Sequence, residues 1–209
     1  MTDILLIILA MTLLYMSIAI RIFTYLRILV LQGFILFGTT YFTLTNINTT
    51  NLLFIMLETI AFKAIAVPWF MNYVIKRNNI TRDAEPYLPN FVSLIIVTMI
   101  IIATIILSSS IQNSFLDKTY FVVALSTLFT GLYMIVSRKK IITHVVGYLV
   151  IENGVFVLSL AVGNEMPMLV NLGVMLDLFA SVLILGIFFN KIGDVIKNPE
   201  VDLLRNLKD

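Results

Sequence analysis

Four side chains that can carry or release a proton interrupt long apolar stretches of this sequence: Glu58, Lys63, Glu152 and Asp177. The stretch GYLVIENGVFVLSL, Gly147 to Leu160, shows the pattern, with Glu152 and Asn153 in the middle of an almost wholly apolar run. In water-poor surroundings a carboxylate holds its proton more tightly, and a neighbouring ammonium opposes that effect, so such groups together can exchange protons near physiological pH. His144, Tyr148 and Glu152 follow one another at i, i+4 and i+8, which stacks them along one helix face with a drift of about 80°. The chemistry these residues point to is a lateral proton relay, approached through His144 and Tyr148.

The elements that must position them are set by composition. Hydrophobic residues make up 60% of the 209 positions and charged residues 12%, and mean hydropathy is +1.02, whereas soluble domains are only about 45–50% apolar. The sequence predicts an all-α integral membrane protein, one helical bundle with no room for a separate soluble domain. Cysteine is absent and histidine occurs once. Thiolate-ligated iron–sulfur clusters, disulfides and multi-histidine metal sites are therefore excluded from this chain. The apolar run after Met1-Thr2-Asp3 lacks a basic leader and a convincing cleavage site before Arg21, which predicts a retained helix rather than a signal peptide.

Apolar runs between charged or turn-rich breaks predict seven transmembrane helices, at 3–20, 28–45, 52–75, 91–110, 119–136, 141–162 and 168–190, with a polar tail over 191–209. Seven spans bring twelve of the fourteen basic residues to one side: Arg21, Arg27, Lys76, Arg77, Arg82, Arg138, Lys139, Lys140, Lys191, Lys197, Arg205 and Lys208. Lys118 falls opposite and Lys63 within a span. The positive-inside rule then puts the N-terminus outside and the C-terminus and tail in the cytoplasm. A six-span arrangement would break this segregation.

The third, sixth and seventh spans have midpoints near residues 63, 151 and 179, so Lys63, Glu152 and Asp177 share the depth of the bilayer centre. Each costs about 2.5–3.5 kcal/mol there, and the three together on the order of 8–10 kcal/mol. Pairing, hydration or function must offset that cost. A structural pairing of Lys63 with Glu152 or with Asp177 would pin three helices together; the functional reading is the relay. Pro68 has no amide hydrogen and crowds the carbonyl of Ala64, which predicts a kink or loosened turn just after Lys63. Glu58 lies about 140° round an α-helix from Lys63 and about 7.5 Å along it, so it faces either another helix or a wet cavity on the outer side. His144 is either a relay member or an interfacial side chain beside the basic loop. Asn153 is expected to hydrogen-bond across helices.

The chain also echoes itself. Leu26 to Gly38 reads against Val145 to Leu158, aligning Gln32 with Glu152, and the spacing from Gln32 to Glu58 matches that from Glu152 to Asp177 within one residue. A weak parallel repeat of three-helix units, over 1–75 and 119–190, follows from this alignment.

The stretch from Ser137 to Ile192, with its Gly-x-x-x-x-Glu-Asn-Gly core, short proline-containing loop and Leu-Gly-x-x-x-Asp helix, resembles the component E subunit of hydrogenase-4 and formate hydrogenlyase-type complexes. FKAIAVPWFMNYVIKR and the ending EVDLLRNLKD resemble that subunit as well, so the likeness covers most of the chain. In this family the last three helices are similar to the K subunit of respiratory complex I, which carries a membrane glutamate in each of its second and third helices. Glu152 matches the first of these; Asp177 stands at the second, with a shorter side chain. Lys63 matches the family lysine, and Glu58 has no assigned counterpart.

The resemblance implies a membrane-arm subunit of a complex I-related complex in a bacterial or archaeal cytoplasmic membrane. Its implied neighbours are antiporter-like membrane subunits, a hydrogenase-anchoring membrane subunit and a peripheral hydrogenase-like arm. No cofactor is expected in this chain; iron–sulfur clusters, with or without a nickel–iron centre, would lie in the partners, and no nucleic acid is expected. The chain would contribute Glu152, Asp177 and Lys63, with His144, Tyr148 and Glu58, to proton or sodium movement coupled to electron transfer elsewhere. Two other readings stand beside this one: a scaffold with no ion-transfer role, and a K- or C-type subunit of a multisubunit cation/proton antiporter, against which the length of the chain argues.

Overall fold

The computed structural model describes residues 1–43, 58–77, 86–111, 116–161 and 186, except the side chains of Glu58 and Phe62. Six helical elements run through these residues. They are α1 (Thr2–Ile18), α2 (Ile22–Thr43), α3, α4 (Asn90–Ser110), α5 (Lys118–Ser137) and α6 (Ile141–Ala161). α3 is composite: Glu58–Ala66 is π-helical and continues as the α-helix Val67–Arg77. α2, α4, α5 and α6 are each long and apolar enough to cross a membrane, and α1 is a shorter apolar helix. The chain is thus an all-helical membrane protein over the described residues. Of the expected seventh span, residue 186 is described; it is helical, and its backbone lies against Phe70 of α3.

Two ends of the bundle differ in charge. At one end meet the close of α1, the start of α2, the end of α3 and the α5–α6 connection, tied together by Arg138 Nη2 donating to the Ser17 carbonyl at 2.8 Å and the Tyr87 amide donating to the Ser137 carbonyl at 2.9 Å. Arg21, Lys76, Arg77, Arg138, Lys139 and Lys140 lie here, with Arg27 less than two turns into α2. At the other end Asp117 caps α5, its Oδ1 accepting from the amides of Thr119 and Tyr120 at 3.0 and 3.3 Å. Its own amide donates to the Ala161 carbonyl at the close of α6. Such a cap satisfies amides that the first helical turn leaves open.

One expectation about the charged end needs correction, and another needs an addition. The second span was expected from residue 28, with 21–27 as a loop, but α2 begins at Ile22 and only Ala19–Arg21 separates it from α1. IFTYL is apolar enough to continue the helix, and Arg27 stays exposed on its long stem. The 137–140 segment, expected as a basic loop, does join two helices, but Arg138 and Lys140 are buried within it, at 1% and 4% exposure. Three residues join two helices packed along their whole length, and Pro86 and Tyr87 pair with the connection from outside, so there is no slack to lift these side chains into water.

α5 and α6 approach closely because small residues face each other. A methyl group on Gly131 would stand 2.7 Å from the Gly147 carbonyl oxygen, and one on Gly154 would stand 2.8 Å from the Leu128 amide. This is the usual means of association where lipid offers no hydrophobic drive between helices. Around this pair the buried apolar residues form two separate clusters. One, with Leu13, Met16, Leu29, Val67, Leu149 and Val150, lies toward the charged end. The other, with Leu6, Leu9, Ile35, Leu36, Phe156 and Val157, lies toward the Asp117 end. Between them, at mid-length of the helices, runs a polar layer.

Candidate functional site

Lys63 enters the polar layer from the π-helical half of α3. Pro68 explains that geometry: without an amide hydrogen it donates to no carbonyl in the turn before it, and the ladder widens to i, i+5 bonding upstream. The loosened turn expected after Lys63 is present, but it surrounds Lys63 and reaches back to residue 58. Along this segment, backbone positions 58 and 63 stand about one π-turn apart rather than on the divergent faces that α geometry would give.

Glu152 meets Lys63 from the middle of α6. Lys63 Nζ lies 2.8 Å from Glu152 Oε1, and both side chains are 8% exposed. The ammonium also sits 4.5 Å from the centroid of the Phe156 ring, a distance at which the ring face attracts a cation. A cavity of about 10 Å³ adjoins the pair, lined by Leu29, Lys63, Val67, Leu149, Glu152 and Asn153. That is room for about one water molecule, with three polar side chains to hold it. Of the two partners open to Lys63 from the sequence, Glu152 is in contact with it; Asp177 lies outside the described residues.

Beside the ion pair a chain of neutral groups crosses three helices. Asn153 Nδ2 donates to Gln32 Oε1 at 3.0 Å, Gln32 Nε2 donates to Thr12 Oγ1 at 2.9 Å, and the Thr12 hydroxyl donates to the Leu9 carbonyl at 2.6 Å. The direction of the chain follows from its end. A backbone carbonyl only accepts, so Thr12 must donate to Leu9 and accept from Gln32, which leaves the Gln32 oxygen for Asn153. Every member is buried: Asn153 at 4% exposure, Thr12 at 5% and Gln32 at 0%. This array fixes α1, α2 and α6 in register at the depth of the ion pair. The expected interhelical bond of Asn153 is thereby located, whereas Gln32, legible only as the partner of Glu152 in the internal alignment, is its acceptor.

His144 stands half-buried near the charged end, its Nε2 2.8 Å from the Arg138 carbonyl. Because the carbonyl accepts, Nε2 carries the hydrogen and Nδ1 is left for another partner. Tyr148 is 37% exposed, while Glu152, one turn further, is buried. The side chain of Glu58 lies outside what the structure describes. No group of His, Asp and Glu among the described residues is arranged to hold a metal ion.

Arg138 is a feature the sequence reading missed. Its guanidinium is buried against the Tyr25 ring, 5.8 Å from centroid to Cζ, and bonds the Ser17 carbonyl through Nη2. Its Nε and Nη1 have no hydrogen-bond partner among the described residues. The signal available was the brevity of the connection, since two helices packed closely to their ends leave three residues nowhere to go but under the bundle.

No protein-family model matches this chain, and no solved structure matches it either. The chain is similar to the uncharacterized protein Rv0085 of Mycobacterium tuberculosis (strain ATCC 25618 / H37Rv), at 21% identity over 165 residues, 78% of this chain and 75% of that one. The similarity runs through most of both chains and carries no activity with it.

Proposed function

We propose that this chain is a membrane-arm subunit of a complex I-related complex of the hydrogenase-4 and formate hydrogenlyase kind, and that the Lys63–Glu152 pair is a station for protons or sodium ions moving laterally through it. The observation that carries the reading is the ion pair itself, 2.8 Å long and 8% exposed on both sides, between the π-helical half of α3 and mid-length of α6. A charged pair at that depth is costly, and intramembrane ionisable residues ordinarily serve ion pathways. The adjoining water-sized cavity supports the reading, because a water there touches both charges and could carry a proton between them and a further group. In this proposal the chain has seven spans, with the charged end and the C-terminal tail in the cytoplasm of a bacterial or archaeal cell. Asp177 supplies the next carboxylate, with His144 and Tyr148 on the cytoplasmic approach and Glu58 on the outer one. Redox centres reside in partner subunits, and their turnover biases the protonation of the pair.

Replacing Glu152 with glutamine keeps the volume and removes the charge. In the complex reconstituted in vesicles, the proposal expects assembly and electron transfer to persist while ion movement per electron falls. Undiminished coupling would refute it.

A scaffold reading is favoured by one specific observation, the neutral Asn153–Gln32–Thr12 chain, which holds helices without moving charge. Under it, Glu152→Gln would impair assembly rather than coupling.

A further inference from the structure

α2 and α3 touch at one level and part toward the charged end. A methyl group on Gly33 would lie 2.9 Å from the Ala64 backbone, so the helices are in backbone contact there. From that contact a groove of about 430 Å³ opens between them. Phe23, Leu26, Val30 and Phe34 form one wall and Ile65 and Pro68 the other, with Ala64 at the floor. Arg27, Trp69 and Asn72 stand along its rim.

Three properties of the groove identify its occupant. Its length, from Phe23 to Phe34, is about 16 Å at 1.5 Å per residue, roughly half of the ~30 Å hydrocarbon core. A partner helix would cross both leaflets, whereas this groove is closed at mid-depth by the Gly33–Ala64 contact. Its walls are apolar, but Arg27 is exposed within it and has no hydrogen bond or ion pair among the described residues. Trp69, 69% exposed, lies near the same level, where an indole favours the membrane interface. Arg21, Lys76 and Arg77 are exposed at the same end and add a positive field.

We propose that this groove holds one anionic phospholipid, its phosphate on the Arg27 guanidinium and one acyl chain laid along α2 down to Ala64. Arginine meets a phosphate with two parallel donors, and basic pockets between membrane helices favour anionic headgroups. The lipid would press on the residue next to Lys63 and so brace the π-helical segment. The site stands whether or not the ion pair moves ions.

Native mass spectrometry of the full chain in neutral detergent, offered phosphatidylglycerol or phosphatidylcholine, tests the assignment. One phosphatidylglycerol per chain should survive activation that strips phosphatidylcholine. Arg27→Gln should lower that retention about fivefold or more. Val30→Trp should lower it too, by filling the groove while keeping the arginine. Lys76→Gln, at the same end but outside the groove, should leave it unchanged. Equal retention by wild type and Arg27→Gln would overturn the proposal, as would an equal loss in Lys76→Gln, which would mean diffuse attraction. A photo-crosslinker at position 65 in native membranes should yield lipid adducts; protein adducts would assign the groove to a partner helix and overturn it as well.

Discussion

Lys63 and Glu152 reach each other end to end at 2.8 Å from two helices, one widened into π geometry around the lysine and the other regular, with the glutamate at its mid-length. Among the described residues the pair lies between two apolar clusters and beside a neutral hydrogen-bonded chain, and its charges have there one another, one ring face and room for one water. A buried ion pair is sensitive to the loss of either member. Removing one charge leaves the other buried and uncompensated, which costs about 3–5 kcal/mol, while replacing both with apolar groups is often neutral or stabilising. Lys63→Met should therefore destabilise the protein by about 3 kcal/mol. Lys63→Met with Glu152→Leu should recover most of that stability while abolishing any ion transfer. Unfolding in mixed micelles measures the first quantity, and coupling in vesicles the second. A double variant as unstable as the single one would show that the pair is not isolated as described.

The Asn153–Gln32–Thr12 chain makes a graded prediction. Gln32→Leu orphans a donor on Asn153 and an acceptor on Thr12 at once, where Asn153→Leu orphans only the Gln32 oxygen. Interhelical hydrogen bonds in membranes are worth about 0.6–2 kcal/mol each. Gln32→Leu should thus cost about twice what Asn153→Leu does, and the two together should cost less than their sum. A double-mutant cycle on unfolding free energy reads this directly, and strict additivity would mean the chain is not a connected unit.

A buried ion pair of Lys63 was legible in the sequence, because a lysine and a glutamate within apolar runs must find partners. That Glu152 meets Lys63 was not, since the sequence offers Asp177 at a similar place in its own apolar run and helix periodicity does not choose between them. Pro68 announced a local loosening through its missing donor, but nothing in the residue types marks that the widened ladder takes in Lys63 and extends back as far as residue 58. The start of α2 was misjudged because Arg27 was read as a loop residue, and a single exposed arginine does not end a helix. The burial of Arg138 was hidden for the converse reason: charge clusters ordinarily mark solvated loops, and here close helix packing overrode that tendency. The groove between α2 and α3 had no periodic signature, because it arises from the angle between two helices.

Helix contacts predict that glycines on different helices differ in tolerance. A methyl group at Gly131 would meet the Gly147 carbonyl oxygen at 2.7 Å and the Ile151 amide at 2.9 Å, both backbone atoms that cannot step aside. At Gly38 it would meet only the tip of the Leu5 side chain at 3.1 Å, which can turn away. Gly131→Ala should destabilise by about 1–3 kcal/mol, as overpacking does, while Gly38→Ala should be neutral or stabilising, by up to about 1 kcal/mol of helix propensity. Thermal unfolding in detergent, compared between the two variants, checks the ordering.

Arg138 offers a test of what a buried guanidinium contributes when most of its donors go unused. It fills space under the α5–α6 connection at 1% exposure, makes one hydrogen bond to the Ser17 carbonyl and leaves Nε and Nη1 without partners among the described residues. Its value to stability is then chiefly volume, and its unsatisfied donors work against it, at about 1–3 kcal/mol for a buried group left unpaired. Arg138→Ala removes the volume along with the charge and should cost about 2–5 kcal/mol, in the range of large-to-small core replacements. Arg138→Met keeps an unbranched stem of similar reach and should cost less than the alanine variant by at least 1 kcal/mol. Arg138→Lys keeps the charge but loses the planar fork, so it should be worse than methionine, with a strongly hydrated ammonium held where water does not reach. Unfolding midpoints in the order Met above Lys and Ala would bear out this account; lysine equal to wild type, with methionine well below both, would mean that the positive charge itself is what the site requires.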